Sequence, residues 1–222
     1  FGRAELPVGG FGQTEDLFAG YESVSGKKVD PEAVKFWQVF GSFWWAVGCL
    51  GMAEHYRTGP DQSVERPAIG RRSSECQVDC VNLLIPGPVA LVKADESITG
   101  IDMPRIDELL ASVTDFLRQD VMSNTQGRTN FLARVASNSL DIVQREVALG
   151  QTCLANESQR LNELFASDES VADLRWRLVH GLRDESIGLD LPGLADHLRA
   201  TVVNQIAIDQ PRYAGFATAT KA

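Results

Sequence analysis

Basic residues are scarce in this sequence relative to acidic ones. Lys and Arg number 21 against 30 Asp and Glu, which gives a formal net charge of -9 at pH 7. A nucleic-acid-binding surface needs a basic stripe, and attachment to an anionic membrane surface needs a basic cluster. The charge balance therefore predicts that the chain binds neither nucleic acid nor a membrane.

Cysteines are also few, with four in 222 residues, and they are too scattered to build a disulfide framework. A reducing compartment fits this usage, and we expect the chain to be cytoplasmic. The first ten residues contain no continuous apolar stretch, so they do not resemble a secretory signal peptide. Because residue 1 is Phe, we expect the sequence to begin inside a longer protein.

No metal site and no complete catalytic motif is predicted. Cys76 and Cys80 are four residues apart and would share a helix face, but a tetrahedral metal site needs two more thiolates or imidazoles nearby. The segment that starts at His180 is superficially similar to a small-molecule kinase catalytic loop, which needs an Asp base and an Asn for the metal. Leu182 and Ile187 stand at those two positions, so no catalytic residue is assigned.

Apolar residues recur at helical spacing along most of the chain, and no run alternates as a strand would, so the sequence predicts an all-α protein. Asp30 followed by Pro31 starts a long helix that ends near Arg57. Within it, residues 36–53 carry no charge. The length of this uncharged segment is at the lower limit for a membrane span. Because polar residues and glycines interrupt this segment and no second span follows, we predict a buried core helix.

Turn signals divide the chain into parts. A third helix is predicted to begin near Ser74, where the sequence matches a capping box, and to end before Pro86. The segment after it is bracketed by prolines and glycines, has no amphipathic period and is predicted to be a linker. The predicted parts are a first domain at 1–85, a linker at 86–102, a second domain at 103–215 and a tail at 216–222.

The second domain is predicted to be an antiparallel bundle of about five amphipathic helices joined by short connections. Its first helix covers residues 103–121, and its second is predicted to stop at Gly150 because glycine favours helix C-termini. Pro211 cannot continue a helix and ends the last one. Cap signals or a proline predict the starts of the other helices at Asn156, Asp168 and Pro192.

One helix face of the second domain carries the candidate ligand-binding residues. Arg134, Asn138 and Arg145 recur at helical spacing on the side opposite to the apolar stripe. Because arginine forks suit carboxylates and phosphates, this face is a candidate anion-binding site; the alternative is a solvated face laced with Asp–Arg pairs. Three further groups would join the site if the fold brings them close: Arg128, Arg199 and residues 209–213.

Three features of the first domain are shared with a known family: the PVGGFG entry at 7–12, the YE–SG–VDP helix junction at 21–31 and the IGRR–E–D helix start at 69–79. On these features residues 1–85 closely resemble the C-terminal helices of aminoglycoside-phosphotransferase-like proteins of bacteria. The resemblance implies the C-terminal helical subdomain of a kinase-like fold. In intact members it implies ATP- and magnesium-dependent phosphoryl transfer to a small hydroxyl substrate.

The nucleotide lobe, the catalytic loop and the metal-binding Asp of that family all lie upstream of the helices that match. No catalytic residue can therefore be assigned from the resemblance, and neither ATP nor magnesium is expected to bind this chain. In such kinases these helices help to wall the acceptor-substrate pocket, so Trp37, Phe40 and Trp44 are candidate wall residues. The alternative is that they pack in the core.

The second domain also resembles a family, through the segments at 133–150, 174–184 and 194–213. The family is a bacterial helical domain of unknown function, often encoded beside or fused to the kinase-like proteins. The resemblance brings no established activity, and its gene context suggests an accessory role in acyl-CoA metabolism.

Together these observations predict a phosphotransferase-like protein that is truncated and fused to a helical accessory domain, and that is non-catalytic as it stands. The alternative is a non-catalytic interaction module that docks a partner enzyme. The expected partners are an upstream kinase lobe, an acyl-CoA dehydrogenase or a second copy of the chain.

Overall fold

A computed structural model describes residues 5–94 and 103–221 of the chain. Within these residues the fold is all-α, as predicted, and the only extended pairing is an isolated antiparallel bridge between Val8 and Gly12. No helix in this part of the chain is long and apolar enough to cross a membrane. In chain order the helices are α1 (Thr14–Ser25), α2 (Pro31–Thr58), α3 (Glu65–Arg71), α4 (Ser73–Leu84), α5 (Ile106–Asp115), a π-helical stretch (Phe116–Val121), α6 (Met122–Asn124), α7 (Gly127–Phe165), α8 (Val171–Arg183), α9 (Leu194–Asp209) and α10 (Ala214–Thr220).

The first two helices begin and end where local signals predict. Gly26 adopts the left-handed conformation, with φ of 67°, and ends α1. Asp30 caps α2, because its carboxylate accepts a hydrogen bond from the backbone N–H of Glu32 at 3.0 Å, and Pro31 takes the first helical position. Short-range chemistry therefore fixes the start of the long second helix.

The predicted capping box at Ser74 is wrong. The short helix α3, which the sequence analysis missed, precedes this point, and α4 begins at Ser73 directly after Arg72. Ser74 lies in the first turn of α4, where its hydroxyl donates a hydrogen bond to the carbonyl of Arg71 at 3.0 Å. Arg72 itself has right-handed helical dihedral angles, so no extended residue marks the junction.

The largest departure from the predicted helices is α7, which is continuous over 39 residues. The predicted break at Gly150 and the predicted helix start at Asn156 are both wrong, since both residues lie inside α7. A glycine within a helix costs about 1 kcal/mol relative to alanine, whereas α7 gains packing along α5, α8 and α9. The helix ends instead at Ala166, which has a left-handed φ of 47°.

The starts of α8 and α9 lie within three residues of their predicted positions. The cap of α8 is Ser170 and not Asp168, since the Ser170 hydroxyl accepts a hydrogen bond from the N–H of Asp173 at 3.2 Å. α9 begins after Gly193, next to the predicted Pro192. The choice between nearby cap residues was the error, and it does not change the order of the helices.

α4, α9 and α10 share a hydrophobic core, although α4 lies on the other side of the predicted linker. The buried members of this cluster are Val78, Val81, Val203, Ile206 and Ala219. A second cluster joins α7 and α8 to the start of α9, and its buried members are Leu161, Leu174, Leu178 and Leu194. The predicted tail is helical over most of its length, and it contributes Ala219 to the first cluster through α10. The division into two domains remains a prediction, but the helices of both parts pack together.

The first residues of the predicted linker lie along α9. Oδ1 of Asn204 accepts a hydrogen bond from the N–H of Val92 at 2.7 Å, and Nδ2 of Asn204 donates to the carbonyl of Ala90 at 3.2 Å. Residues 86–94 have no helix or strand, as a linker should, yet they are bonded to the fold. The rest of the predicted linker, 95–102, lies outside the described residues.

α2 is not the buried helix that its sequence predicts. It packs against α3 and α4 along one side, where Cys49 is fully buried. On the other side, seven apolar side chains are each 47% to 65% exposed. We call them the aromatic face of α2: Phe36, Trp37, Phe40, Phe43, Trp44, Val47 and Leu50.

Candidate functional site

The three predicted anion-binding residues of α7 have different surroundings. Arg134 is exposed, and its closest polar contact is Oδ1 of Asn130 at 3.5 Å. Asn138 is exposed beside a cavity. Arg145 turns inward, where its Nε donates to the carbonyl of Ile208 at 2.5 Å and its Nη2 donates to the carbonyl of Asp209 at 3.2 Å. Arg145 therefore caps the C-terminal end of α9 and does not share a free anion site with Arg134.

The cavity beside Asn138 has a volume of about 330 Å³. It lies between α3, the start of α4, the first half of α7 and the C-terminal end of α9, and we call it the α3–α7 cavity. Helices from both sides of the predicted linker therefore build it. One of its walls is apolar and consists of Ala68, Ile69, Phe131, Val135 and Ile142.

Asp209 forms the polar floor of the α3–α7 cavity and is 6% exposed. Its Oδ1 lies 3.4 Å from Nη1 of Arg71, and its Oδ2 accepts a hydrogen bond from Nε2 of Gln205 at 3.1 Å. Burial raises the pKa of this carboxyl, and the Arg71 guanidinium partly opposes that shift. Arg71 also forms an ion pair with Glu146, so one guanidinium lies between two acidic side chains at the floor.

At the rim of the cavity the charges are paired one to one. Nη2 of Arg72 lies 3.1 Å from Oε2 of Glu75, and Nη1 of Arg128 lies 3.3 Å from Oε1 of Glu65. The apolar and charged lining residues together suit the binding of a small molecule or a side chain.

The further groups that were predicted to join the arginine face divide between two places. Residues 209–210 line the α3–α7 cavity, and Arg128 reaches its rim through Glu65. Arg199 lies elsewhere: it is 5% exposed and donates hydrogen bonds to backbone carbonyls next to α4 and α10. Its role in this structure is to hold those elements together.

The candidate wall residues Trp37, Phe40 and Trp44 belong to the aromatic face of α2. They are 63%, 47% and 65% exposed, and they do not line the α3–α7 cavity. Trp37 and Phe40 contact each other edge to face, with ring centroids 5.6 Å apart. In the described structure these residues therefore form an open surface.

Neither Cys76 nor Cys80 is arranged as a metal ligand. Cys76 is buried, and burial raises the pKa of its thiol to about 12, with the nearby Cys49 adding to the shift. Sγ of Cys80 donates to the carbonyl of Val39 at 3.8 Å. Over residues 5–94 and 103–221, no group of three or more His, Cys, Asp or Glu side chains is placed to hold a metal ion.

Close packing explains why residue 181 is a glycine in the segment that is similar to a kinase catalytic loop. A Cβ at this position would lie 2.3 Å from Cδ1 of Ile187, because the chain folds back onto α8 here. The N–H of Ile187 also donates to the carbonyl of Gly181 at 2.9 Å. The segment that is similar to a catalytic loop therefore forms the closely packed C-terminal end of α8.

Arg71 and Arg72 were not predicted as cavity residues. Both precede α4 in the first domain, and the partners of Arg71, which are Glu146 and Asp209, follow more than 70 residues later. The adjacent arginines before a helix were the only local signal. Nothing in a single sequence indicates that α3 packs against α7, so the pairing could not be predicted.

The contrast between Arg145 and Arg134 can be tested by stability measurements. We expect Arg145→Met to lower the free energy of unfolding by about 1–3 kcal/mol, because it leaves the carbonyls of Ile208 and Asp209 without their donors. Arg134→Met on the same helix should change it by less than about 0.5 kcal/mol. Urea denaturation followed by circular dichroism measures both, and equal effects would contradict the structural role of Arg145.

Comparison with known proteins identifies part of the chain. Residues 123–213, which contain α7, α8 and α9, match the family model described as a domain of unknown function, DUF6285. No curated protein and no solved structure is significantly similar to the chain. No phosphotransferase family matches residues 1–85, so that resemblance stays a prediction. The family resemblance of the second domain is thus supported over residues 123–213, to a family described only as a domain of unknown function.

Proposed function

We propose that this chain is a non-catalytic helical module that docks, through the aromatic face of α2, onto the catalytic lobe of a phosphotransferase-like enzyme. The observation that carries the proposal is the exposure of this face. Its five aromatic side chains are between 47% and 65% exposed on one side of a single helix. The proposal applies equally to a lobe in the same polypeptide and to a lobe on a separate one.

The size of the face supports a macromolecular partner. Aromatic side chains each present about 150–250 Å² when fully open, so five half-exposed rings offer roughly 600 Å² of apolar surface. The largest apolar patch on a monomeric protein is usually about 300–600 Å² and is often functional. Half of a stable protein–protein interface is about 800 Å², so this face would supply most of one.

The composition of the face also suits an interface. Tryptophan is enriched among the residues that dominate binding energy, and charged residues are depleted at interface centres. Lys35 and Glu54 flank the uncharged segment of α2 without entering it. Phe40 contacts Trp37 edge to face and stacks on Phe36 at a centroid distance of 6.3 Å, so the rings lose little freedom on docking.

The choice of partner rests on the resemblance of residues 1–85 to the C-terminal helices of phosphotransferase-like proteins. The resemblance implies helices that help to wall the acceptor-substrate pocket of such kinases. The non-catalytic part of the proposal rests on the lack of a complete catalytic motif in this sequence.

The test measures binding between the purified chain and the catalytic lobe of a phosphotransferase-like protein from the same organism. Isothermal titration calorimetry should give a saturable one-to-one complex. The double variant Trp37→Glu/Trp44→Glu should bind at least 100-fold more weakly, because it places two charges at the centre of the interface. Trp176→Glu is the matched control, since Trp176 is 61% exposed on α8 and should leave binding unchanged.

Three outcomes would contradict the proposal. Robust ATP turnover by the chain alone would contradict its non-catalytic part. A concentration-dependent dimer of the chain alone that Trp37→Glu/Trp44→Glu abolishes would assign the face to a second copy. Saturable binding to an acyl-CoA dehydrogenase and not to the phosphotransferase-like lobe would assign it to a different enzyme class.

A further inference from the structure

A second cavity, of about 340 Å³, lies between α4, α7, α8 and α9, and we call it the α7–α9 cavity. It is separate from the aromatic face of α2, so nothing about it depends on the proposed docking. Charged and polar side chains from three helices face it: Glu157 and Arg160 from α7, Arg175 from α8 and Thr201 from α9.

Arg160 is a cation without a carboxylate partner in this cavity. Its Nη2 donates to Oγ1 of Thr201 at 3.2 Å, which is a neutral acceptor. Its Nε is buried and has no hydrogen-bond partner among the described residues. Burial lowers the pKa of the guanidinium, and the nearby carboxylates of Glu157 and Glu163 partly oppose that shift. An unpaired buried N–H of a charged group is costly, so its presence needs an explanation.

Glu157 does not supply the missing anion, because Arg175 already holds it. Nε and Nη2 of Arg175 donate to the two carboxylate oxygens of Glu157 at 2.7 Å and 2.6 Å. This is a two-pronged arginine–carboxylate pair, which uses both oxygens and fixes the orientation of the carboxylate. The cavity therefore keeps one excess positive charge, that of Arg160, in a chain whose net charge is -9.

The adjacent histidine does not change this balance. His197 on α9 is 4% exposed, and burial lowers the pKa of its imidazole, with the nearby Arg160 adding to the shift. Both effects favour the neutral imidazole over its cation. Its buried Nδ1 also has no hydrogen-bond partner in the part of the chain that the structure describes. The thiol of Cys153, whose pKa burial raises, is likewise uncharged.

We propose that the α7–α9 cavity is a binding site for a small monocarboxylate, with Arg160 as the residue that pairs with the carboxylate. Arg160 lines this cavity, and a guanidinium can bind a carboxylate through two parallel hydrogen bonds. The volume of about 340 Å³ admits a small molecule and is at the lower end of known ligand pockets. The polar lining suits a compound with hydroxyl or amide substituents.

The charge of the cavity favours a single negative charge on the ligand. One excess cation neutralises a monocarboxylate, whereas a phosphate dianion would bring a second negative charge close to Glu157. A cationic ligand would face Arg160 and Arg175 together. The site is therefore assigned by charge to monocarboxylates and against phosphates and amines.

Sodium lactate is the probe for the test, with inorganic phosphate and methylammonium chloride as comparison ligands at constant ionic strength. Saturation-transfer NMR on the whole chain should show saturable lactate binding in the millimolar range, which is expected for a ligand of six heavy atoms. Arg160→Gln should weaken it at least tenfold. Arg160→Lys, which keeps the charge but not the fork, should give an intermediate value.

Arg183→Gln is the matched control, because Arg183 is an exposed arginine on α8 that does not line this cavity. Lactate binding that survives Arg183→Gln but not Arg160→Gln would support the proposal. Three results would overturn it: no saturable lactate binding by the natural chain up to 100-fold above the ~1 mM range, equal binding by Arg160→Gln, or tighter binding of phosphate than of lactate. Circular dichroism checks that each variant is folded.

Discussion

Arg199→Met should lower the free energy of unfolding by about 3–5 kcal/mol, the largest effect that we expect from a single polar residue here. The side chain of Arg199 is 5% exposed. Its Nε donates to the carbonyl of Gly87 at 2.6 Å, and its Nη2 donates to the carbonyl of Ala219 at 3.0 Å. Nη1 adds contacts to Oδ1 of Asn82 at 3.3 Å and to the carbonyl of Ile85 at 3.4 Å.

The physical reason is that one guanidinium satisfies backbone carbonyls at two helix ends. Ile85 is the cap residue of α4 and Ala219 is in the last turn of α10, and helix C-termini carry partial negative charge. Methionine matches much of the apolar length of arginine but donates nothing. The carbonyls would then stay buried without a partner, which is costly in free energy.

Urea denaturation followed by tryptophan fluorescence and by circular dichroism measures the effect. The exposed Arg183 on α8 is the matched control, and Arg183→Met should change stability by less than about 0.5 kcal/mol. Because Arg199 joins α4 and residues 86–94 to α9, both signals should move together in Arg199→Met. Two separate transitions in the unsubstituted chain would instead show that the parts on each side of the linker unfold independently.

Arg175→Met should lower the free energy of unfolding by about 1–2 kcal/mol, because it leaves the buried carboxylate of Glu157 without its cation, while the 55% exposure of the Arg175 side chain lets solvent screen part of the interaction. Glu157 is 6% exposed and accepts both of its short hydrogen bonds from Arg175. Breaking a buried pair by removing one partner costs more than the pair itself contributes. The double variant Glu157→Leu/Arg175→Met should therefore regain most of the lost stability.

A second arginine on α8 serves as the matched control for this prediction. Arg177 on α8 pairs with Glu169 at 3.3 Å, and both side chains are 49% exposed. Arg177→Met should cost less than about 1 kcal/mol, since solvent screens an exposed pair. Thermal and urea unfolding at pH 7 would give all three values, and a double variant less stable than Arg175→Met would refute the buried-pair argument.

The helix boundaries that were predicted correctly were those with strong capping signals in the local sequence. Asp30 and Pro31 fixed the start of α2, and Gly26 fixed the end of α1, because a cap is decided by a few neighbouring atoms. The predicted break at Gly150 failed because a single glycine costs less than the packing that α7 gains on both sides of it. Local signals thus predicted most helices. They did not show that the helices predicted before and after Gly150 form one continuous helix, α7.

For the candidate sites, too, the local sequence predicted which residues share a helix but not their tertiary contacts. Helical periodicity placed Arg134, Asn138 and Arg145 on one helix, but it could not tell which guanidinium turns inward. The unpaired Arg160 has no distinguishing sequence neighbours, and only the positions of α8 and α9 show that Arg175 takes the nearby carboxylate. Ion pairing across helices depends on distances that a linear pattern does not contain.

The sequence by itself determined the helical class, the end of α1, the start of α2 and the net negative charge, since these follow from composition and from contacts within one or two turns. The tertiary structure alone decided that α4 shares a core with α9 and α10, and that Arg199 lies inside it. It also decided that the aromatic face of α2 lies open, which an apolar segment does not predict. Burial is a property of what packs against a helix, and that is set by the arrangement of the other helices around it.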